Sequence, residues 1–560
     1  MNSELHNGKC EMCGENAIVE NINGRMICEK CFSKISLLIA ADEGCKIWIN
    51  ESISKDSAYD DAIDQVVNQH LLNIKKLQRN CADQIISLKN ALKEEIKVRI
   101  QFYRRDEFFA VLFSIKEYIR RYLLRCKRPQ WNYINDISTV NILMKIASEV
   151  TEYENHAIYE LEMGCSNLAN VICWARRYNL VTENYNIVGD NVSDVGDLCF
   201  ESALPNEADK YFDLYLENGV FEKIEDYTIK NEFLRNKLSL EEKTPESILN
   251  AFADILSSQF LFSAKDLKAL EQIIFKYEFK NNEEFKAWVQ EEKELFSDSP
   301  IYVIEKELLE KTFNKSILEA ILNTFSINKH FDSLADYMEL FCFFEVDDFV
   351  MFGGIDVVQT FGIFEKFLLS GHYIEAYKKG ISSNKIFTKA QRNMSKYFSY
   401  CVADLLANNG YILPTEIVNK KECIRAEIDK IEIENENILK DSNGKALGDI
   451  DVLAINIDKK EILLFELKYY KPAISIHDLF VRDKSLIVDK RVLEHIQARE
   501  KAISSHKMGV VKYILGKCDG DYRVRSFLLT ARTNYYGLIE NEVEYITWAE
   551  LVKNVEQNRL

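Results

Sequence analysis

Six prolines and twenty glycines in 560 residues give this chain few places to stop a helix or turn sharply. Such a scarcity of breakers predicts long helices and little disordered linker over most of the length. The chain is too long for one hydrophobic core, so two to four domains are expected. Its 47% hydrophobic and 29% charged residues describe an ordinary globular composition, and no apolar run nears the roughly 18 residues that span a bilayer. The N-terminus is polar and cysteine-bearing, without a signal-peptide core. The expectation is therefore a cytoplasmic protein with no membrane partner and with its scattered cysteines reduced.

A net charge of −18 argues against a protein that simply coats nucleic acid. The charge is unevenly placed. From Gln391 to Leu560 there are 26 Lys and Arg against 26 Asp and Glu, so the first 390 residues carry the whole imbalance. The C-terminal third is the part least repelled by phosphate, and the text of the chain also changes near Gln391. Three regions follow, 1–34, 35–390 and 391–560.

Within 1–34, Cys10-Glu-Met-Cys13 and Cys28-Glu-Lys-Cys31 make two CxxC knuckles. Each knuckle directs two thiolates at one point, and two complete a tetrahedral site for one structural Zn2+. Gly14 and Gly24 sit where tight turns are wanted, with a small hairpin expected from Ile18–Ile22 and Arg25–Ile27. A zinc ribbon of this kind binds nucleic acid or protein, or only folds the terminus, and the residues do not choose.

Region 35–390 reads as almost wholly helical, in one or two subdomains. Ile74, Leu77, Cys81, Ile85, Leu88, Leu92, Ile96, Ile100 and Tyr103 recur at spacings of three and four. They predict a long helix over about 58–128, either a coiled-coil arm or a bundle helix. Arg99, Arg104, Arg105, Lys116, Arg120, Arg121, Arg125, Lys127 and Arg128 are interleaved with aromatics there. They could grip a phosphate backbone, but a buried aromatic stripe with a solvated basic face is the favoured reading. The Phe-rich run Phe341–Phe361 reads as core, and acidic surfaces are expected at Glu201–Glu225 and Glu283–Glu294. No Gly-rich phosphate loop and no HExxH motif is present.

From Gln391 the expected order is helix, three or four strands, helix, strand, strand, helix, an α/β sandwich around a mixed sheet. Tyr397–Asn409 is the first helix, stopped by Asn408-Asn409-Gly410. Tyr411–Val418 and Ile424–Glu434 read as strands. Ile450–Ile457 and Glu461–Tyr470 then form a hairpin about Asp458-Lys459-Lys460. Alternate strand residues share a face, so Glu466 and Lys468 point the same way, and the hairpin carries Asp451 toward them. Charges in strands this apolar are costly without partners, and two carboxylates with a lysine suit a hard divalent cation. Asp489–Ser504, Arg523–Ala531 and Glu544–Val552 supply the closing elements.

This order resembles the PD-(D/E)XK nuclease superfamily, the restriction-endonuclease-like fold. The likeness rests on helix-then-Gly410-Tyr411, on Gly448-Asp-Ile-Asp451, on Phe465-Glu466-Leu467-Lys468, and on the late strand Ser526–Ala531 followed by Ile546–Leu551. It implies that Asp451 and Glu466 hold Mg2+ or Mn2+, with the Leu467 carbonyl a further ligand. It also implies that Lys468 orients or activates the attacking water. Asp449 and Gln497 are accessory candidates, and Glu416 or Glu432 could give a spare carboxylate. The glutamate that many relatives carry on the first helix is missing around Ser399.

The activity implied is metal-dependent hydrolysis of phosphodiester bonds, in DNA before RNA, on the pattern of a restriction or anti-phage defence effector. The helical region would then provide recognition, self-association or a protein-partner surface. A catalytically silent nuclease fold that binds nucleic acid or acts as a scaffold is the alternative, and a helical adaptor carrying a zinc ribbon is the third.

Overall fold

The computed structural model describes residues 6–12, 14–22, 25–53, 59–77, 80–125, 131–154, 156, 167–188, 194–202, 256–290, 301–327, 340–369, 398–418, 420–441, 443–469, 484–489, 491–535, 537 and 542–560. Met1–Ala203 with Leu256–Glu365 forms one compact unit, and Leu204–Ile255 with Lys366–Leu560 forms the other. The chain is multidomain and mainly helical, with a mixed sheet in its C-terminal region. Among the described residues no helix is long and apolar enough to cross a membrane.

The first unit starts with a three-stranded antiparallel sheet of β1 (His6–Lys9), β2 (Asn16–Ile22) and β3 (Arg25–Cys28). The hairpin expected between the knuckles is therefore present, as β2 and β3. The chain runs from it directly into α1 (Glu29–Ile53).

The single long helix expected over about 58–128 is three helices instead. They are α2 (Asp60–Leu77), α3 (Cys81–Ile100) and α4 (Arg105–Arg125). Asn80 starts α3 by accepting from the Ala82 N–H at 2.8 Å, an N-cap that a periodicity count does not register. At the other end Tyr103 leaves the helix and pairs with His156. The stripe Ile85, Leu88, Leu92, Ile96 and Ile100 is buried, and α3 packs on α5 (Trp131–Glu149) and α6 (Leu168–Val188). It is a bundle helix and not a projecting arm.

The middle region, expected to be almost wholly helical, also contains a small sheet. After α7 (Ala264–Glu278) and α8 (Asn282–Gln290) come β4 (Ile301–Glu305), α9 (Lys306–Thr312), α10 (Lys315–Phe325), β5 (Phe344–Val346) and β6 (Phe349–Gly353). The three strands form an antiparallel sheet in the order β4-β6-β5. The Phe-rich run is core, as its composition suggests, with all of β6 buried before α11 (Gly354–Leu369).

Lys116, Arg120 and Arg121 of α4 do not form a solvated face. Lys116 is fully buried, donates to the Phe341 carbonyl at 2.7 Å and pairs with Asp356 at 3.1 Å. Glu117 accepts the Ile355 and Asp356 main-chain N–H groups at 3.0 and 2.7 Å, at the start of α11, where a helix favours an anion. Arg121 pairs with Glu117 at 2.7 Å and Glu278 at 2.6 Å, and Arg120 with Asp356 at 3.4 Å. These three cations are matched by three carboxylates, and α4 is a buried central strut. Lys127 and Arg128 lie outside the described residues, as do most of Glu201–Glu225 and the end of Glu283–Glu294.

The second unit is described from a helix over 398–408, here α12. Gly410 ends it with φ +86°, and the Tyr411 N–H returns to the Leu406 carbonyl at 3.1 Å, the stop that Asn-Asn-Gly announces. The strands expected at Tyr411–Val418 and Ile424–Glu434 are shorter. β7 (Thr415–Val418) pairs with β8 (Lys421–Ile424), and β9 (Glu432–Ile433) with β10 (Glu436–Asn437). Glu427 takes φ +56°, which breaks the run, and Ile428 bridges Ile450.

The main sheet is β11 (Val452–Asn456), β12 (Glu461–Lys468), β13 (Arg523–Thr530) and β14 (Glu544–Thr547), in that order. β11 is antiparallel to β12, and the other pairs are parallel. Between β12 and β13 come α13 (Val492–Ser505) and α14 (Lys507–Leu515), and α15 (Trp548–Glu556) closes the unit. Alternation sorts the faces. Val452, Ala454, Leu463, Phe465, Phe527 and Leu529 pack on α12 and α15, while Leu453, Ile455, Ile462 and Leu464 pack on α13 and α14. Helices cover both faces, a layered α/β arrangement.

Candidate active site and cysteine cluster

The β11–β12 register pairs Val452 with Phe465 and Asn456 with Glu461, about a turn at 457–460. One step beyond the paired residues, that register sets Asp451 opposite Glu466. Asp451, Glu466 and Lys468 fall in the alternation of Leu453, Ile455, Ile462 and Leu464, so all three belong to the α13 face of the sheet. The hairpin thus brings the three sequence-predicted residues together at the end of the sheet where β12 and β13 finish.

Each side chain is held by a neighbour. Asp451 Oδ2 accepts the Leu467 main-chain N–H at 2.6 Å. In the β12–β13 ladder the Lys468 carbonyl accepts from Ala531, so the main chain of Leu467 faces the other way, toward Asp451. Lys468 Nζ is 2.5 Å from Glu466 Oε1. The second Glu466 oxygen is held by Arg499, whose other arm donates to the Asp449 carbonyl at 2.5 Å. Burial, and next the Glu466 charge, push the Asp451 carboxyl up to about 7 against the pull of the Leu467 N–H, Lys468 and Arg499.

The accessory candidates do not join this group. Asp449 is exposed and contributes its carbonyl to Arg499. Gln497 is exposed and donates to Glu542 at 3.1 Å. Glu416 is exposed on β7, and Glu432 pairs with Lys430 at 2.5 Å. Ser399 is buried on α12, which covers the opposite face of the sheet. Asp404 on that helix is buried and accepts from Asn408 at 3.0 Å.

Arg499 is the member that motif reasoning passes over. Its signal lies in α13, whose buried residues are Val492, Ile496, Arg499 and Ile503, spaced four, three and four apart. An arginine on the apolar stripe of a helix needs a buried acceptor, and Glu466 is that acceptor.

Two carboxylates and a main-chain carbonyl are hard oxygen donors, and a buried acid that is difficult to ionise beside a second one is a place where a cation relieves repulsion. The donor set fits Mg2+ or Mn2+. At the N-terminus, the thiols of Cys10, Cys28 and Cys31 lie within 4.8 Å of one another, from the ends of β1 and β3 and the first turn of α1. The Cys28 N–H points at Cys10 Sγ at 3.4 Å. Cys13 lies outside the described residues. Three converging thiols fit a soft or borderline ion such as zinc and not the hard cation of the other site.

No family model, no curated protein and no solved structure matches the chain.

Proposed function

We propose that the chain is a metal-dependent nuclease of the PD-(D/E)XK type that hydrolyses phosphodiester bonds, in DNA before RNA. The observation that carries this reading is the convergence of Asp451, Glu466 and Lys468 on one face at the end of a mixed, helix-covered sheet. Asp451, Glu466 and the Leu467 carbonyl would hold Mg2+ or Mn2+. When bound, that ion acidifies a water and offsets charge on the phosphate oxygens.

The chain's own residues supply the rest. Lys468 offers an ammonium that orients the attacking water and balances negative charge as it builds on the phosphate. The Leu467 N–H fixes the Asp451 carboxylate, and Arg499 fixes Glu466, so neither ligand has to be ordered during reaction. The neutral charge balance of 391–560 lets a polyanion approach this unit. The cysteine cluster is read as one structural Zn2+ held by Cys10, Cys13, Cys28 and Cys31. The remaining helices are read as recognition or assembly apparatus of a restriction or defence enzyme.

The test is cleavage of single-stranded DNA, duplex DNA and RNA by purified protein with Mg2+ or Mn2+. Asp451→Ala, Glu466→Ala and Lys468→Ala should each lower the rate at least about 100-fold while leaving the fold intact. Unchanged cutting by Glu466→Ala would sink the assignment.

A further inference from the structure

Arg499 sits where a second positive group would stand beside a bound cation. Its side chain is 8% exposed, and it ties together α13, the loop before Asp451 and the carboxylate of β12. Gly448, in the left-handed region at φ +88°, lets the loop pass close, since a Cβ there would stand 3.2 Å from an Arg499 nitrogen. Glu466 therefore has a cation on each oxygen, Lys468 on one and Arg499 on the other.

The charges decide the consequence. With Asp451 and Glu466 both ionised, as metal ligands are, Lys468 and Arg499 already balance their charge before that of a metal is counted. A divalent cation would take it to a net +2. An anion bound at the site offsets this excess. A phosphodiester is such an anion. Lys468 is on the solvent side of the pair, 27% exposed, whereas Arg499 is enclosed, which makes Arg499 the fixed part of the balance.

We propose that Arg499 is a positioning residue that clamps Glu466 and the Asp449 carbonyl and holds down the affinity of the empty site for a divalent cation, so that metal and nucleic acid bind in a mutually reinforcing way. This rests on the reading of Asp451 and Glu466 as metal ligands. By linkage, whatever factor nucleic acid adds to metal affinity, metal adds to nucleic-acid affinity.

The experiment is a Mn2+ titration of the full chain, followed by the paramagnetic signal of free Mn2+, scoring the site that disappears in Glu466→Ala. Arg499→Gln and Arg499→Met remove the charge, Met keeping much of the buried stem. Arg499→Lys keeps the charge but not the fork. The neutral variants should bind Mn2+ about 10-fold more tightly than the parent, from one unit charge several ångströms away. Arg499→Lys should bind it like the parent. A 12-nucleotide single strand in excess should tighten Mn2+ binding by the parent and do so less for the neutral variants.

Neutral variants that fold, by circular dichroism, and bind Mn2+ no more tightly than the parent would overturn the proposal, since a merely structural ion pair predicts that result. Absence of a Glu466-dependent Mn2+ site would overturn it together with the nuclease reading. Tighter binding in the variants with no cleavage of any nucleic acid would leave Arg499 in this role and remove the nuclease reading alone.

Discussion

Asp451 is a carboxylate in a place where ionising it is difficult. In the fold it keeps its proton up to about 7, whereas its ordinary value is 3.8. The neutral acid therefore lends stability that is complete below about 3.8 and is lost as pH rises through about 7. At pH 8 without divalent metal, Asp451→Asn should be more stable than the parent by about 1–3 kcal/mol, because the amide still accepts from Leu467 and carries no charge. At pH 3.5 the two should match. Urea unfolding at both values measures this, and a less stable variant at pH 8 would make Asp451 a structural carboxylate. Millimolar Mg2+ at pH 8 should raise the parent's midpoint and leave the variant's unchanged. Asp451, Glu466 and Lys468 were legible in the sequence because a short turn sets their register locally. Arg499 was harder to see, because its partner lies on another element and only its place on the α13 stripe marks it.

At the level of elements, strong local signals carried through and weak ones did not. Gly410 stops α12, and the hairpin forms between its two apolar runs. The break at Asn80 escaped because an apolar period of three and four persists through a cap. The strands β4, β5 and β6 escaped because short apolar runs look alike in buried helices and buried strands. Thr547 and Glu550 form a capping box that starts α15, each accepting from the other's main chain. Thr547→Ala should cost about 1 kcal/mol in urea unfolding while leaving the Mn2+ affinity of the site unaltered. A change in that affinity would mean that the edge strand β14 helps to set the site.

Across the whole molecule, charge is handled differently in the two units. The first buries three cations of α4 against Glu117, Glu278 and Asp356. Burial raises the Glu117 and Glu278 carboxyls, and Arg121 opposes the rise. That network was invisible in the sequence, since its members come from three segments far apart in the chain. Lys116→Met leaves Asp356 buried with Arg120 as its remaining cation here and should destabilise the first unit by about 3–5 kcal/mol. Thermal unfolding followed by circular dichroism would register it. For the cysteines, elemental analysis of the purified parent should find one zinc per chain, and Cys28→Ser should lose it; zinc retained in Cys28→Ser would place the ion elsewhere.

The strand order has a kinetic side. The β11–β12 hairpin closes over a few residues, but β13 joins β12 only after about sixty residues have been looped out. Closing long loops is slow, so a refolding chain should pair Leu453–Ile455 with Ile462–Leu464 first and recruit α13 and β13 afterwards. The two acids and the lysine would then exist as a half-built group, with one cation for two carboxylates, before the guanidinium docks. Pulse-labelled hydrogen exchange should find hairpin amides protected ahead of Leu528 and Leu529, and millimolar Mg2+ should favour the hairpin stage more than it favours the finished, neutral site.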